Sequence, residues 1–70
     1  MERYSVASSN VQSIGYEPQS GTLEVEFVVG TIYQYYGVPQ NIYDQLMREP
    51  SKGRFLNTYI KNQYPYSRVG

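Results

Sequence analysis

The residues best suited to chemistry in this sequence are Ser51, Lys52, Gly53 and Arg54. They stand where a second helix is predicted to begin, with Ser51 as its N-cap. Backbone N–H groups and the positive end of a helix dipole favour phosphate there, and two cations beside a compact glycine would complete the site. Cations in a first turn oppose the dipole by about 0.3 to 1 kcal/mol each, so we expect Lys52 and Arg54 to serve binding rather than helix stability. The alternative is a serine cap followed by solvated charges.

Two later cations and several tyrosines could extend this site. Lys61 and Arg68 would enlarge the basic patch if the C-terminal tail folds back beside it. Aromatic rings stack unpaired bases at about 1 to 3 kcal/mol per base. The rings that we assign to stacking are Tyr36, Tyr64 and Tyr66.

Catalysis is not expected from this chain. Glu24 and Glu26 are two residues apart on a predicted strand, about 6.6 Å by strand rise, a spacing that could suit acid and base work on a glycoside. Alternating glutamates are, however, typical of a solvated strand face. The chain has no histidine to activate a serine or tyrosine and no cysteine, so we expect no metal site and no cofactor.

Length and hydropathy restrict the class of protein. The chain of 70 residues makes one domain close to the lower size for a single core, and we place that core at about residues 8–68. No apolar run approaches the roughly 20 residues of a membrane span, and no signal pattern opens the chain. We therefore expect a cytoplasmic protein that does not enter a membrane and is a monomer by default.

The net charge is zero, but the charges are unevenly distributed. Residues 1–45 carry five acidic side chains and one arginine, a balance of −4, whereas residues 47–70 carry five basic side chains and one glutamate, a balance of +4. A local basic patch is therefore compatible with zero net charge.

A β-hairpin over residues 22–36 organises the rest of the chain. Apolar and charged side chains alternate through its first half, and β-branched and aromatic residues fill its second half. A loop of Val28, Val29 and Gly30 is favoured because only the glycine then needs a positive φ.

That loop sets which tyrosines face the core. It aligns Leu23 with Tyr35 and Val25 with Tyr33, so both tyrosines share the apolar face. A two-residue loop would instead turn the neighbouring side chains toward it. We expect Tyr33 and Tyr35 to fill the core with their hydroxyls reaching its edge.

The bounds of the remaining elements are predicted from the positions of proline, glycine and serine. Residues 11–16 read as a first strand, and residues 1–7 as either a frayed arm or a short edge strand. A first helix is predicted over residues 39–49 and a second over residues 51–61, because Pro39 suits a first turn and Pro50 ends a helix.

A series of motifs runs through the chain in order: Leu23-x-Val25-x-Phe27, Gly30, Tyr33-x-Tyr35, Gly37-Val38-Pro39, Tyr43, Ser51-Lys52-Gly53-Arg54-Phe55, Asn57, Ile60-Lys61 and Tyr64-Pro65-Tyr66. Together they resemble the KTSC domain, a short module found alone in bacterial and phage proteins and at the C-terminus of some lysyl-tRNA synthetases. The resemblance covers about residues 8–68. It implies nucleic-acid binding as an expectation, without a mechanism. A common family pattern has asparagine before the hairpin glycine, where this chain has Val29.

We therefore predict an α+β fold, an antiparallel sheet of three strands, or four with the N-terminal arm, covered on one face by two C-terminal helices. The first functional hypothesis is a small non-catalytic nucleic-acid-binding module, for RNA rather than DNA, which contacts phosphate at the start of the second helix. The second is a protein-interaction module that uses an exposed hairpin edge or the Tyr-Pro-Tyr tail at residues 64–66.

Overall fold

The computed structural model describes residues 1–70 and has the α+β architecture that the sequence predicts. Five antiparallel strands form one sheet in the order β1-β2-β3-β4-β5. The strands are β1 (Tyr4–Ser5), β2 (Val11–Glu17), β3 (Thr22–Phe27), β4 (Ile32–Tyr35) and β5 (Tyr66–Arg68). Two helical segments stand between β4 and β5 in the chain: α1 (Gln40–Arg48), and α2 (Lys52–Phe55), which continues as a π-helical turn (Leu56–Ile60).

The central hairpin of β3 and β4 has the predicted register. Leu23 pairs with Tyr35 and Val25 with Tyr33, and the Phe27 N–H donates to the carbonyl of Thr31 at 2.9 Å. Gly30 takes a φ of 102°, and no other residue type in the chain has a positive φ. The three-residue loop is therefore confirmed, because it concentrates the left-handed conformation on glycine.

The core lies between one face of the sheet and the helices. Alternate side chains of the strands enter it, and the helices close it from above. Its buried hydrophobic members are Val11, Ile14, Leu23, Val25, Tyr35, Val38, Leu46, Phe55, Leu56 and Ile60.

The first helix agrees with its predicted bounds and the second does not. Pro39 is the N-cap of α1 and Glu49 its C-cap. The segment after Ser51 was predicted as one α-helix to residue 61, but only Lys52–Phe55 is α-helical. Beyond it the Lys61 N–H donates to the carbonyl of Leu56 at 2.8 Å, an i to i−5 bond. The side chains of Leu56 and Ile60, at the two ends of this turn, are both buried in the core.

The N-terminal arm and the C-terminal tail both add strands to the sheet. Of the two alternatives for the arm, the edge strand is confirmed, since Tyr4 pairs with Ile14. The tail pairs with β4, with Tyr35 opposite Tyr66 and Tyr33 opposite Arg68. The sheet therefore has five strands rather than three or four. The hairpin edge that was predicted to be exposed is covered by β5.

The helices are too short to cross a membrane.

Candidate functional site

A groove lined by aromatic side chains opens where β4, β5 and the end of the π turn meet. It encloses about 390 Å³. We call it the aromatic groove, and it is lined by Phe27, Tyr33, Tyr35 and Tyr66 together with Thr31, Lys61 and Asn62. The antiparallel pairing explains the cluster, because directly opposed residues point to the same face of a sheet and β5 thereby brings Tyr66 beside Tyr35.

The rings of the groove pack against one another in a continuous series. Phe27 meets Tyr33 edge to face with ring centroids 5.9 Å apart. Tyr33 and Tyr35 are each about 6 Å from Tyr66, at 5.9 and 6.0 Å between centroids. Tyr66 is 59 % exposed. The groove therefore presents a fixed aromatic surface with one ring open to solvent.

Lys61 supplies the charge of the groove. Its ammonium lies 5.6 Å from the centroid of the Phe27 ring, within the range of a cation–π contact. No acidic residue lines the groove. Arg68 does not line it either, although β5 places this residue opposite Tyr33, and its Nε donates to the Gly70 carbonyl at 2.9 Å.

The predicted phosphate site at residues 51–54 forms a separate hollow. Ser51 and Arg54 line it together with Tyr59. Ser51 is confirmed as an N-cap, since its Oγ accepts from the Arg54 N–H at 3.4 Å. Lys61 and Arg54 line different concavities, so the structure does not unite the predicted basic residues in one patch.

Lys52 has a structural role that the sequence interpretation missed. Its Nζ donates to the carbonyls of Met47, at 3.1 Å, and of Glu49. These carbonyls belong to the C-terminal end of α1, where the helix dipole is negative and the backbone oxygens lack partners. The argument that this cation has no part in helix stability was therefore wrong: it opposes the dipole of α2 but caps α1.

Gly53, the glycine of the predicted phosphate site, lies against the side chain of Asn10. A Cβ added to Gly53 would lie 3.2 Å from Asn10 Nδ2.

Two of the three tyrosines assigned to stacking lie away from the aromatic groove. Tyr64 packs against the core. Tyr36 lies on the other face of the sheet and donates its hydroxyl to Gln34 Oε1 at 3.1 Å. Only Tyr66 of that set lines the groove, and Tyr33 and Tyr35, which were assigned to the core, join it there. The shared face of Tyr33 and Tyr35 followed from the hairpin register, but the sequence did not indicate that β5 would set a third tyrosine beside them.

The opposite face of the sheet carries the two glutamates. Glu24 is 7 % exposed, so the solvated strand face that we expected is wrong for this residue. Arg3 forms a salt bridge with Glu24, and Gln34 Nε2 donates to the same carboxylate at 2.8 Å. Burial acts to raise the pKa of Glu24, but the hydrogen bonds from Gln34 and Arg3 and the arginine charge outweigh it and hold the pKa below its ordinary value. Glu26 accepts from Ser13 Oγ at 2.8 Å. We interpret the contacts of Glu24 and Glu26 with Arg3 as the interactions that hold the N-terminal arm against the sheet.

The chain is similar to a family of small domains along most of its length. The family model described as KTSC domain matches residues 7–64. The crystal structure of a KTSC domain protein from Yersinia pestis superimposes with a TM-score of 0.92 at 40 % identity, over 99 % of this chain and 97 % of that one.

Two kinds of relative appear in the sequence comparison. An uncharacterized protein of Stutzerimonas stutzeri is 40 % identical over 70 residues, which is 99 % of either chain. A lysine–tRNA ligase of Nostoc sp. is 38 % identical over 61 residues, 87 % of this chain and 11 % of the ligase. The same kind of module thus occurs as a whole chain and as a small part of a much longer enzyme.

Proposed function

This chain belongs to the KTSC domain family, and from that premise we propose that it binds single-stranded RNA through the aromatic groove. The observation that carries the proposal is a set of packed rings, one of them largely exposed, beside a lysine and without an acidic neighbour. The function is binding without catalysis, and it requires no cofactor.

The aromatic surface suits unpaired bases. Sequence-tolerant recognition of single strands combines rings, on which bases stack, with cations that contact the backbone. Tyr66 offers an exposed ring face, while Tyr33 and Tyr35 hold that ring in place from the neighbouring strand. A fixed ring loses little conformational freedom on binding, which favours affinity.

The charges near the groove favour an anionic ligand. Lys61 lines the groove, and Arg68 is on the adjoining strand. The carboxylates of Glu24 and Glu26 belong to the opposite face, where Arg3 contacts both of them. Repulsion of phosphate by these glutamates therefore acts on the opposite face of the sheet and not in the groove.

The occurrence of a similar segment in lysine–tRNA ligases supports RNA as the nucleic acid. A weak RNA-binding module joined to such an enzyme would raise the local concentration of its tRNA, because a linked second contact is intramolecular.

Binding by residues 51–54 stays a prediction with a narrower basis. Arg54 is exposed and available to a ligand, whereas the Lys52 ammonium is occupied by two carbonyls of α1. We therefore assign the main contact to the groove and treat Arg54 as a separate residue to be tested beside it.

The test is an NMR titration of labelled protein with single-stranded RNA of about eight nucleotides, duplex DNA and a tRNA. We expect single-stranded RNA to shift the resonances of Tyr33, Lys61 and Tyr66, and the affinity to fall between about 50 mM and 200 mM salt as counterions are released. Absence of binding by every ligand at low salt would show that the proposal is wrong.

Matched variants locate the contact. Tyr66→Ala removes the exposed groove ring and should weaken RNA binding about fivefold or more. Tyr4→Ala is its control, since Tyr4 is 57 % exposed on the opposite edge strand. Lys61→Gln should weaken binding and reduce its salt dependence, with Arg48→Gln as the charge control on α1. Equal effects of a groove variant and its control would contradict the assignment.

A protein partner is the second candidate, and the free edge of β5 is the observation that favours it. All three residues of β5 are exposed, and the strand pairs only with β4. An extended peptide could add to such an edge through backbone hydrogen bonds. This function would give self-association or peptide binding that is insensitive to salt, together with no response to RNA.

A further inference from the structure

Tyr35 combines deep burial with a hydroxyl that has no partner inside the protein. The residue is 3 % exposed, and it is the one tyrosine among the buried residues. No fully buried side-chain nitrogen or oxygen lacks a hydrogen bond. The Tyr35 hydroxyl makes none, so it must reach solvent, and the surface that Tyr35 lines is the aromatic groove.

Tyr16 shows how a tyrosine hydroxyl beside the core can be satisfied within the protein. It packs against the core and donates to the carbonyl of Val38, whereas Tyr35, which is more deeply buried, makes no such bond. A hydroxyl that reaches solvent from a nearly buried residue is satisfied by water until a ligand replaces that water. The rings of Tyr33 and Tyr66 lie 6.5 and 6.0 Å from that of Tyr35 between centroids, and all three residues line the groove.

The surroundings keep this hydroxyl protonated. Burial raises the pKa of Tyr35, and the neighbouring phenols of Tyr33 and Tyr66 raise it further. A neutral phenol both donates and accepts one hydrogen bond, so it can match an amino or a carbonyl group on a nucleobase.

We propose that the aromatic groove holds one unpaired nucleobase and that Tyr35 discriminates between bases by hydrogen bonding to the base edge. This inference rests on the proposed function of the groove and names the chemistry of its ligand. The volume of about 390 Å³ lies near the lower end of the range of about 300 to 1,000 Å³ for ligand sites, which suits one nucleotide rather than several.

The placement of the polar groups assigns the base, and not the phosphate, to Tyr35. A phosphate is drawn to the ammonium of Lys61, which is exposed. Tyr35 itself lies beside the rings of Tyr33 and Tyr66, where a flat apolar base face packs well and a phosphate would lose its hydration. A hydrogen bond in such a place is strong, and a base edge that cannot match it leaves the hydroxyl unpaired.

The experiment compares short RNAs that differ only in their central base, using the wild-type chain and two hydroxyl deletions. Wild-type affinities should span about fivefold or more across the four bases, as expected for one hydrogen bond. Tyr35→Phe keeps the ring and should reduce this span to about twofold or less. Tyr36→Phe, which removes a hydroxyl on the other face of the sheet, should leave the span unchanged.

Each outcome distinguishes the inference from the function on which it rests. If wild-type protein binds RNA with equal affinity for all four bases, or if Tyr35→Phe retains the full span, Tyr35 is not the discriminating residue although the groove still binds RNA. If no RNA binds, both proposals are wrong. Selective labelling of tyrosine rings in the wild-type chain gives a reading that needs no variant, because the Tyr35 resonances should move with the preferred base and not with the others.

Discussion

At the scale of single residues, the chemistry of this protein depends on what each polar side chain finds within reach. Lys52 reaches back from α2 to the last carbonyls of α1, whereas Lys61 reaches over Phe27 at the mouth of the groove. The two lysines have the same functional group and are nine positions apart in the sequence. One is part of the scaffold, and the other is free to contact a ligand.

Replacing Lys52 tests this division. Lys52→Met keeps the aliphatic stem but removes the two hydrogen bonds to the end of α1, so we expect the free energy of unfolding to fall by about 1 to 2 kcal/mol. Urea unfolding measures it. Arg54→Met is the control, because Arg54 is exposed in the same short helix, and its stability should change by less than about 0.5 kcal/mol. Equal losses in the two variants would contradict the capping role.

At the scale of elements, the two ends of the chain add the edge strands of the sheet whose centre is the β3–β4 hairpin and β2. The arm adds β1 beside β2, and the tail adds β5 beside β4. The tail continues the pairing beyond β5, since the Ile32 N–H donates to the Gly70 carbonyl at 3.1 Å. The aromatic groove exists only because β5 carries Tyr66 to β4 and the π turn brings Lys61 near Phe27.

Gly15 sets how closely the N-terminal arm can cross β2. A Cβ on this glycine would lie 2.4 Å from the backbone oxygen of Glu2, so Gly15→Ala must displace the arm together with Arg3 and its salt bridge to Glu24. We expect a loss of about 1 to 3 kcal/mol in the free energy of unfolding, measured by thermal or urea unfolding.

Truncation of residues 1–3 provides the matched background for that substitution. This truncation removes Glu2 and Arg3, which supply the atoms nearest to the added methyl group. Gly15→Ala should then change stability by less than about 0.5 kcal/mol. A loss of the same size in both backgrounds would place the origin of the effect within β2 itself.

At the scale of the whole molecule, the fold places the two glutamates of β3 and the lysine of the aromatic groove on different faces of the sheet. The acidic balance of residues 1–45 is partly absorbed on one face of the sheet, where Arg3 contacts Glu24 and Glu26. The aromatic groove on the other face has a lysine and no acid. Zero net charge thus coexists with a site that favours an anion, although long-range steering by the molecule as a whole is weak.

The interactions of the Glu24 carboxylate with Arg3 and Gln34 predict how stability depends on pH. The folded-state pKa of Glu24 is below the value of 4.5 for a free carboxyl, so its contribution to stability is complete above that pH and is lost as the pH falls through the folded pKa. For Tyr16 and Tyr35 burial raises the pKa above 10.0, so the folded state holds protons that the unfolded chain releases and stability falls above about pH 10.

Denaturant titrations from pH 3 to pH 7, a range chosen to span the ordinary carboxyl pKa of about 4, measure the acid limb. Glu24→Gln should flatten this limb, because it removes the group whose pKa differs between the two states. Glu17→Gln, at an exposed carboxyl on the last residue of β2, should leave it unchanged. An acid limb that is as steep in Glu24→Gln as in the wild type would assign it to other groups.

The sequence alone determined the features that depend on neighbours along the chain. Alternation of side chains and the preference of glycine for positive φ specified the register of β3 and β4, and with it the shared face of Tyr33 and Tyr35. The prolines bounded α1, and Ser51 capped α2. Each of these choices is made by local backbone sterics or by a hydrogen bond across a few residues, which a pattern can express.

Only the tertiary structure decided the features that depend on distant partners. A three-residue tail becomes β5 because β4 offers an unpaired edge. Glu24 is buried because Arg3 and Gln34 supply its partners. These contacts join residues that are far apart in the chain. Sequence pattern therefore identified the tyrosines and the lysines, but the fold selected which of them form the groove.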